Sequence, residues 1–228
     1  MKYFILIVSA VTLALGFGAC SKKKGPSNVA GVMLVNACTG TSTGIYTKVN
    51  GANSGPGNIS FCNTSGYVNL TSGSANNINF YLADGTPLTS GSPTFTANGH
   101  YSVFASGIIT APTFVVTTDD LASPASGNAK VRFVNLSSDN FNESFFVGVG
   151  TAALDANIGY NGSTPFHEIA ATTGTQVLVQ DPANMTYLQQ ISSQPFSAGK
   201  IYTIILTGTS GAPTGTASAL KLTVLNNN

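Results

Sequence analysis

Val32-Met33-Leu34-Val35-Asn36 and Val131-Arg132-Phe133-Val134-Asn135 are one apolar pattern written twice, 99 positions apart. The offset persists. Ile59-Ser60-Phe61 matches Ile158-Gly159-Tyr160, Tyr67 matches Phe166, and Ile78-Asn79-Phe80 matches Val177-Leu178-Val179, each at 99. Towards the end it becomes 101, with Phe95-Thr96-Ala97 against Phe196-Ser197-Ala198 and Tyr101 against Tyr202. So steady an offset over roughly 70 residues marks a head-to-tail duplication of one structural unit. Ala122-Ser123-Pro124-Ala125-Ser126-Gly127-Asn128 lies between the copies and has linker composition. The expected organisation is a first repeat over 27–121, a linker over 122–128 and a second repeat over 129–228.

Each copy is written in strands. Ile78, Phe80 and Leu82 alternate with Asn77, Asn79 and Tyr81, and Leu220, Leu222 and Val224 alternate with Lys221 and Thr223. Phe145, Val147 and Val149 share one face, as do Tyr101 and Val103. Period 2 is expected where one face of a sheet is buried. Val131 to Val134 and Ile201 to Leu206 are denser apolar runs and suit central strands. Asn50-Gly51, Asp84-Gly85, Asn98-Gly99 and Asn161-Gly162 are turn dipeptides that tolerate positive φ. After residue 24 no long stretch carries helical spacing. Six to eight short strands in about 100 residues predict an antiparallel sandwich. The expected fold class is all-β, two tandem immunoglobulin-like β-sandwiches.

The N-terminus reads as an address. Met1-Lys2 is a short positive start, Tyr3 to Phe17 is apolar apart from Ser9, Thr12 and Gly16, and Gly18-Ala19-Cys20 follow, then Ser21-Lys22-Lys23-Lys24. Charge, apolar stretch and small residues in that order are a secretory signal. Gly18-Ala19-Cys20 resembles the lipobox of bacterial lipoproteins, with Phe17 where leucine is usual. The resemblance implies a signal peptide over 1–19, cleavage before Cys20, lipid on the Cys20 sulfur, and an anchor segment over 20–26. A transmembrane helix needs about 20 apolar residues, and this run is shorter and glycine-interrupted. Stable anchoring takes more than one acyl chain, which a triacylated Cys20 supplies. The expected location is the cell envelope, lipid-anchored, at the outer membrane, with the membrane as a partner through Cys20. No acidic run follows Cys20 to resemble a surface-export signal.

In the second copy Lys130-Val131-Arg132-Phe133-Val134-Asn135-Leu136-Ser137-Ser138-Asp139 resembles the opening strand of the domain-of-unknown-function family numbered 4397, and Ser197-Ala198-Gly199-Lys200-Ile201-Tyr202-Thr203 resembles its late strand. The resemblance covers residues 130 to about 225. The first copy departs from it, with no basic residues in its opening strand and Asn98-Gly99-His100-Tyr101 at the late one. The resemblance implies small immunoglobulin-like sandwiches in tandem on bacterial, Bacteroidota-like envelope proteins. The family has no established catalytic residues, so none is carried over.

Composition narrows the function classes. Charged residues are 7% of the chain against 43% hydrophobic, enough apolar content to build a core. Four of the nine cations precede residue 25, leaving five against eight acids, a net of −3. With no cluster of Lys/Arg, nucleic-acid binding is not expected. Cys38 and Cys62 are the two remaining cysteines. In an oxidising compartment they are expected to pair, adding about 3 kcal/mol by loop closure.

No catalytic residues, cofactor or metal site are expected. A serine triad needs a nucleophile, a base and an orienting acid. Only His100 and His167 are available as bases, no Gly-x-Ser-x-Gly elbow is present, and His167 and Glu168 face opposite ways on a strand. Both histidines are expected at a surface or strand edge. Zinc needs three or four clustered ligands. Asp139, Asn142 and Glu143 make an oxygen-rich stretch outside the EF-hand register, and it and Asp119-Asp120 are expected to be solvated loops. Tyr46, Tyr67, Tyr81, Tyr160 and Tyr187 are the candidate sugar platforms, with packing on the sheets the simpler expectation. The expected function is that of a non-enzymatic envelope lipoprotein with a structural or binding role, towards a glycan or another envelope protein. Two alternatives stand beside it: an accessory glycan-binding lipoprotein of a polysaccharide-uptake system, and an unrecognised secreted hydrolase.

Overall fold

The computed structural model describes residues 28–139, 141–148, 152–183, 186–216 and 218–228. Sixteen strands account for the chain's regular structure there, and no helix occurs among the described residues. The first copy holds β1 (Val29–Asn36), β2 (Ile45–Val49), β3 (Ala52–Ile59), β4 (Asn63–Thr71), β5 (Ile78–Leu82), β6 (Pro87–Gly91), β7 (His100–Ile108) and β8 (Ala111–Thr118). The second holds β9 (Asn128–Ser137), β10 (Glu143–Val147), β11 (Asp155–Ile158), β12 (His167–Ala170), β13 (Thr172–Asp181), β14 (Thr186–Phe196), β15 (Ile201–Gly208) and β16 (Lys221–Asn226).

The duplication is visible in the topology. The first copy folds into sheets β4-β1-β7-β8 and β3-β2-β5-β6, and the second into β12-β9-β15-β16 and β11-β10-β13-β14. Strand for strand the order is the same. Each copy is an immunoglobulin-like sandwich of four strands on four, and the two stand in tandem. The pairing is antiparallel except that β1 runs parallel to β7, and β9 to β15. The small anchoring bonds repeat too. Asn36 Nδ2 donates to the Ile59 carbonyl at 2.9 Å and Asn135 Nδ2 to the Ile158 carbonyl at 3.0 Å. The Thr96 and Ser197 amides each donate to a tyrosine hydroxyl, of Tyr101 and Tyr202, at 3.1 Å. Of the turn dipeptides, Asn50-Gly51 closes the β2–β3 hairpin with both residues at positive φ, 51° and 83°, the conformation a tight hairpin demands.

Two cores follow the period-2 pattern. Val32, Leu34, Ile45, Ile78, Phe80 and Phe95 fill the first, and Val131, Phe133, Phe145, Val177, Phe196 and Ile204 the second. Val149, expected beside Phe145 and Val147, lies outside the described residues.

A third core joins the copies. Met33, Val35, Phe104 and Val115 of sheet β4-β1-β7-β8 meet Val134, Leu136, Ile205 and Leu225 of sheet β12-β9-β15-β16. This explains the dense runs. Strands β1, β9 and β15 send alternate side chains to their own sandwich and to the junction, so both faces need apolar residues. Burying one such side chain contributes about 1.5–3 kcal/mol, so eight of them hold the copies together far more firmly than a linker alone. The sheets are layered four deep, and the connection after β8 is pinned. Lys130 Nζ lies 2.7 Å from Asp120, and Glu168 accepts from the Ala125 amide at 3.2 Å and from Asn128 Nδ2 at 2.9 Å.

Inside this apolar junction sits the only arginine of the chain, Arg132, 1% exposed. All three guanidinium nitrogens donate hydrogen bonds. Nη2 donates to Asp119 Oδ1 at 2.5 Å and Ser102 Oγ at 3.1 Å, Nη1 to the Thr118 carbonyl at 2.9 Å, and Nε to Thr203 Oγ1 at 2.9 Å, while the Phe166 ring lies 4.6 Å from Cζ. Ser102 Oγ donates to Asp119 Oδ2 at 2.7 Å, and the Tyr67 hydroxyl donates to the same oxygen. Thr203 Oγ1 donates to Asn227 Oδ1 at 2.7 Å, and Asn227 Nδ2 to the Tyr67 hydroxyl at 3.1 Å. Asp119, expected in a solvated loop, is thus buried, because its carboxylate is the counter-charge of Arg132. Burial lowers the Arg132 pKa while Asp119 opposes the change, and an arginine starts so high that it stays charged.

The network carries the duplication in its own residues. Arg132 occupies the position of Met33, Thr203 that of Ser102, and Phe166 that of Tyr67. The Asp119 amide donates to the His100 carbonyl as the Asn227 amide does to that of Ile201, both at 2.8 Å, so these two are also equivalent. Removing one partner of a buried pair costs about 3–5 kcal/mol, whereas replacing both is often neutral. Arg132→Met alone is therefore expected to lose about that much in chemical denaturation. Arg132→Met with Asp119→Asn, which installs the residues of the equivalent positions, is expected to regain most of it. Equal loss in the single and double variants contradicts the pairing.

Candidate functional site

The two cysteines correct one expectation. Cys38 and Cys62 are free buried thiols and form no disulfide. They face different compartments. Cys38 belongs to the core of the first sandwich, where burial pushes its thiol up to about 12. Cys62 sits at φ 60° in a left-handed turn, and its Sγ faces Thr207 Oγ1 of β15 at 3.8 Å, across the junction. The equivalent residues of the second copy are Ser137 and Asn161, and Asn161 has the same φ, 61°. Both cysteines stand in ordinary packing positions of the repeat. Cys20, the proposed lipidation residue, lies outside the described residues.

His167 Nε2 lies 2.7 Å from Asp155 Oδ2. The pair joins edge strand β12 of one sheet to edge strand β11 of the other, so His167 is at a strand edge as expected, and it staples the open side of the second sandwich. Among the described residues no hydroxyl or thiol is hydrogen-bonded to its ring, so a base–acid pair is present without the nucleophile that triad chemistry requires. His100 opens β7, half-buried, with its ring edge-on to Tyr67 at 5.6 Å. No three His, Cys, Asp or Glu side chains among the described residues gather as a metal centre.

The tyrosines divide by surroundings. Tyr67 is in the junction, where burial and Asp119 push its phenol well above the ordinary value and keep it a donor. Tyr160 spans the two copies, its hydroxyl 3.4 Å from Thr113 Oγ1. Tyr187 is exposed at the start of β14. Tyr46 and Tyr81 form a platform. Ile45, Thr47 and Val49 of β2 point inward, so Tyr46 and Lys48 point outward, and Tyr81 is the cross-strand partner of Tyr46 on β5. Their rings stack at 5.1 Å and 12°, and Lys48 Nζ lies 5.3 Å from the Tyr81 ring. Beside Tyr46 is a small hollow of about 180 Å³ lined by Asn53, Ser54, Gly55, Pro56 and Gly57. The Tyr46 ring, stacked on one face by Tyr81, borders this hollow together with amide and hydroxyl groups, a combination suited to a sugar ring.

The most unusual side chain was expected in a solvated loop. Glu143 is the first residue of β10, has no exposed surface, and neither carboxyl oxygen has a hydrogen-bond partner. Burial, then Asp181 and Asp139, push its pKa up to about 7.

Residues 30–142 match the model of a family described as a domain of unknown function, DUF4397. Over these residues the chain belongs to the DUF4397 family. The match covers the first copy and the opening strand β9 of the second, so the resemblance placed on residues 130 to about 225 is met there over β9. The identical strand order ties the rest of the second copy to the same unit. No curated protein matches the chain.

The thiols give a direct check on the cysteine assignment. A maleimide is expected to label neither Cys38 nor Cys62 in the native protein, and both in guanidinium without reductant. Absence of labelling in guanidinium, with labelling after reduction, contradicts the free thiols.

Proposed function

We propose that this DUF4397 protein is a non-enzymatic lipoprotein of the cell envelope, held at the outer membrane by lipid on Cys20, whose paired sandwiches serve a structural or binding role. The lipobox-like Gly18-Ala19-Cys20 after an apolar run carries the reading. The structure adds a physical consequence. The first strand opens at Val29, nine residues beyond Cys20, and nine extended residues span at most about 30 Å. The sandwiches are then kept near the membrane and, fastened through their common core, move as one body. Cys20→Ala is expected to move the protein from the membrane pellet to the soluble fraction and to abolish incorporation of an alkyne-labelled fatty acid. Pelleting and labelling that persist in the variant contradict the anchor.

The Tyr46–Tyr81 platform favours a second reading, that the module binds a glycan as an accessory protein of polysaccharide uptake. With five cations after residue 24 and no cluster of them, nucleic-acid binding is not favoured, whereas a sugar ring fits an aromatic face flanked by Asn53 and Ser54. On a glycan array the intact protein is expected to retain at least one neutral polysaccharide, and Tyr46→Ala to lose about tenfold or more in affinity with unchanged thermal stability. No retention across the array, or retention unaffected by Tyr46→Ala, contradicts this reading.

A further inference from the structure

The register of the second sandwich sets a carboxylic acid in a place built for an apolar residue. In the first copy Ile45 pairs with Ile59 on one side and Leu82 on the other. In the second, Glu143 pairs with Ile158, the counterpart of Ile59, and stands one step beyond the Ser144–Gln180 pair, which sets it against Asp181. Glu143 has no exposed surface, and neither carboxyl oxygen has a hydrogen-bond partner among the described residues. By the period of a strand it shares the inward face with Phe145, a residue of the second core.

The surroundings offer a charge nothing. Asp181 on β13 and Asp139 in the loop before β10 are the charges that act on Glu143, and both are acids. Asp155 on β11 is held by His167 of β12 at 2.7 Å. Tyr187, on β14 beyond β13, is exposed. Lys130 and Arg132 on β9 are paired with Asp120 and Asp119, and Lys221 of β16 lies over the Phe61 ring of the first copy at 5.5 Å. Like charges on facing strands repel, and a bare buried charge costs far more than a neutral carboxyl that lacks partners. The side chain therefore has two stable conditions, neutral in the core or charged in water. Water is close. Asn142 and Asn157, the chain neighbours of Glu143 and Ile158, line an open hollow of about 460 Å³ with Asp181. The backbone that has to yield is weakly held. β11 is a four-residue edge strand, paired with β10 at Glu143–Ile158 and Phe145–Asp155 with an irregularity between them.

We propose that Glu143 is a proton-controlled latch: carrying a proton it closes the β10–β11 end of the second sandwich, and on ionising it gives the proton to solvent, leaves the core and opens that end. The latch depends on neither the lipid anchor nor the Tyr46 platform. Burial, then Asp181 and Asp139, push the Glu143 pKa from 4.5 up to about 7, so the latch works around neutrality. The stability it lends is full below about pH 4.5, falls as pH rises and is gone above about pH 7, because the closed state holds a proton that the open state has released. Glu143 and Glu168 are the two glutamates of the chain, so the full mature protein labelled with carbon-13 at the glutamate carboxyl gives two signals, told apart with Glu168→Gln. Glu168 is expected to titrate below the ordinary glutamate value, held down by Asn128 and the Ala125 amide, and Glu143 near pH 7. Hydrogen exchange of the amides that pair β10 with β11, corrected for intrinsic pH dependence, is expected to quicken at least tenfold from pH 5 to pH 8. Glu143→Gln, the shape of the protonated form, and Glu143→Ile, the first copy's residue, are each expected to abolish that change. A Glu143 signal that titrates below pH 5 overturns the proposal, as does exchange in the wild-type protein that is the same at both pH values.

Discussion

The charge pair between Arg132 and Asp119 lies in the one place where a charge is least welcome, between two sheets whose other contacts are apolar. It is tolerable because all three guanidinium nitrogens donate and both oxygens of the carboxylate accept. A buried pair adds little to stability over an apolar one but tolerates only one geometry. The surrounding Met33, Val35, Phe104, Val134, Leu136 and Ile205 supply the adhesion, and the ionic network sets the register in which they meet. The module is therefore a four-layered body with a fixed angle between its halves.

Much of this is legible in the sequence, and for a definite reason. Duplication writes each packing constraint twice, so Asn36 and Asn135, or Tyr101 and Tyr202, reveal themselves by recurrence. Turn dipeptides such as Asn50-Gly51 are legible because positive φ selects a small set of residues. The dense runs of β9 and β15 mark central strands, but a sequence does not say what covers their second face. Two-sided burial is the cause, and the lone Arg132 in such a run is its only local sign.

The errors have physical causes as well. Two cysteines behind a signal-like N-terminus suggest a bridge, yet pairing depends on which core each side chain enters, and residues 38 and 62 enter different ones. Asp119 and Glu143 read as loop acids because neighbours in sequence are polar. Glu143 is further hidden by a local shift. A constant offset of 99 sets it against Gly44, whereas strand pairing makes Ile45 its counterpart. One residue of register separates a solvated acid from a buried one, as period 2 requires.

Function divides along the same lines. The proposed anchor belongs to the N-terminal motif, the Tyr46–Tyr81 pair to one outer sheet, and the buried Glu143 to the second copy. The junction joins the two sandwiches and so fixes the Tyr46–Tyr81 pair and Glu143 relative to one another. Residual dipolar couplings measured on the two sandwiches in a weakly aligning medium test that directly. The account requires a single alignment tensor, with equal magnitude and orientation for residues 29–118 and 128–226. Tensors of different magnitude for the two halves would show independent motion and contradict it.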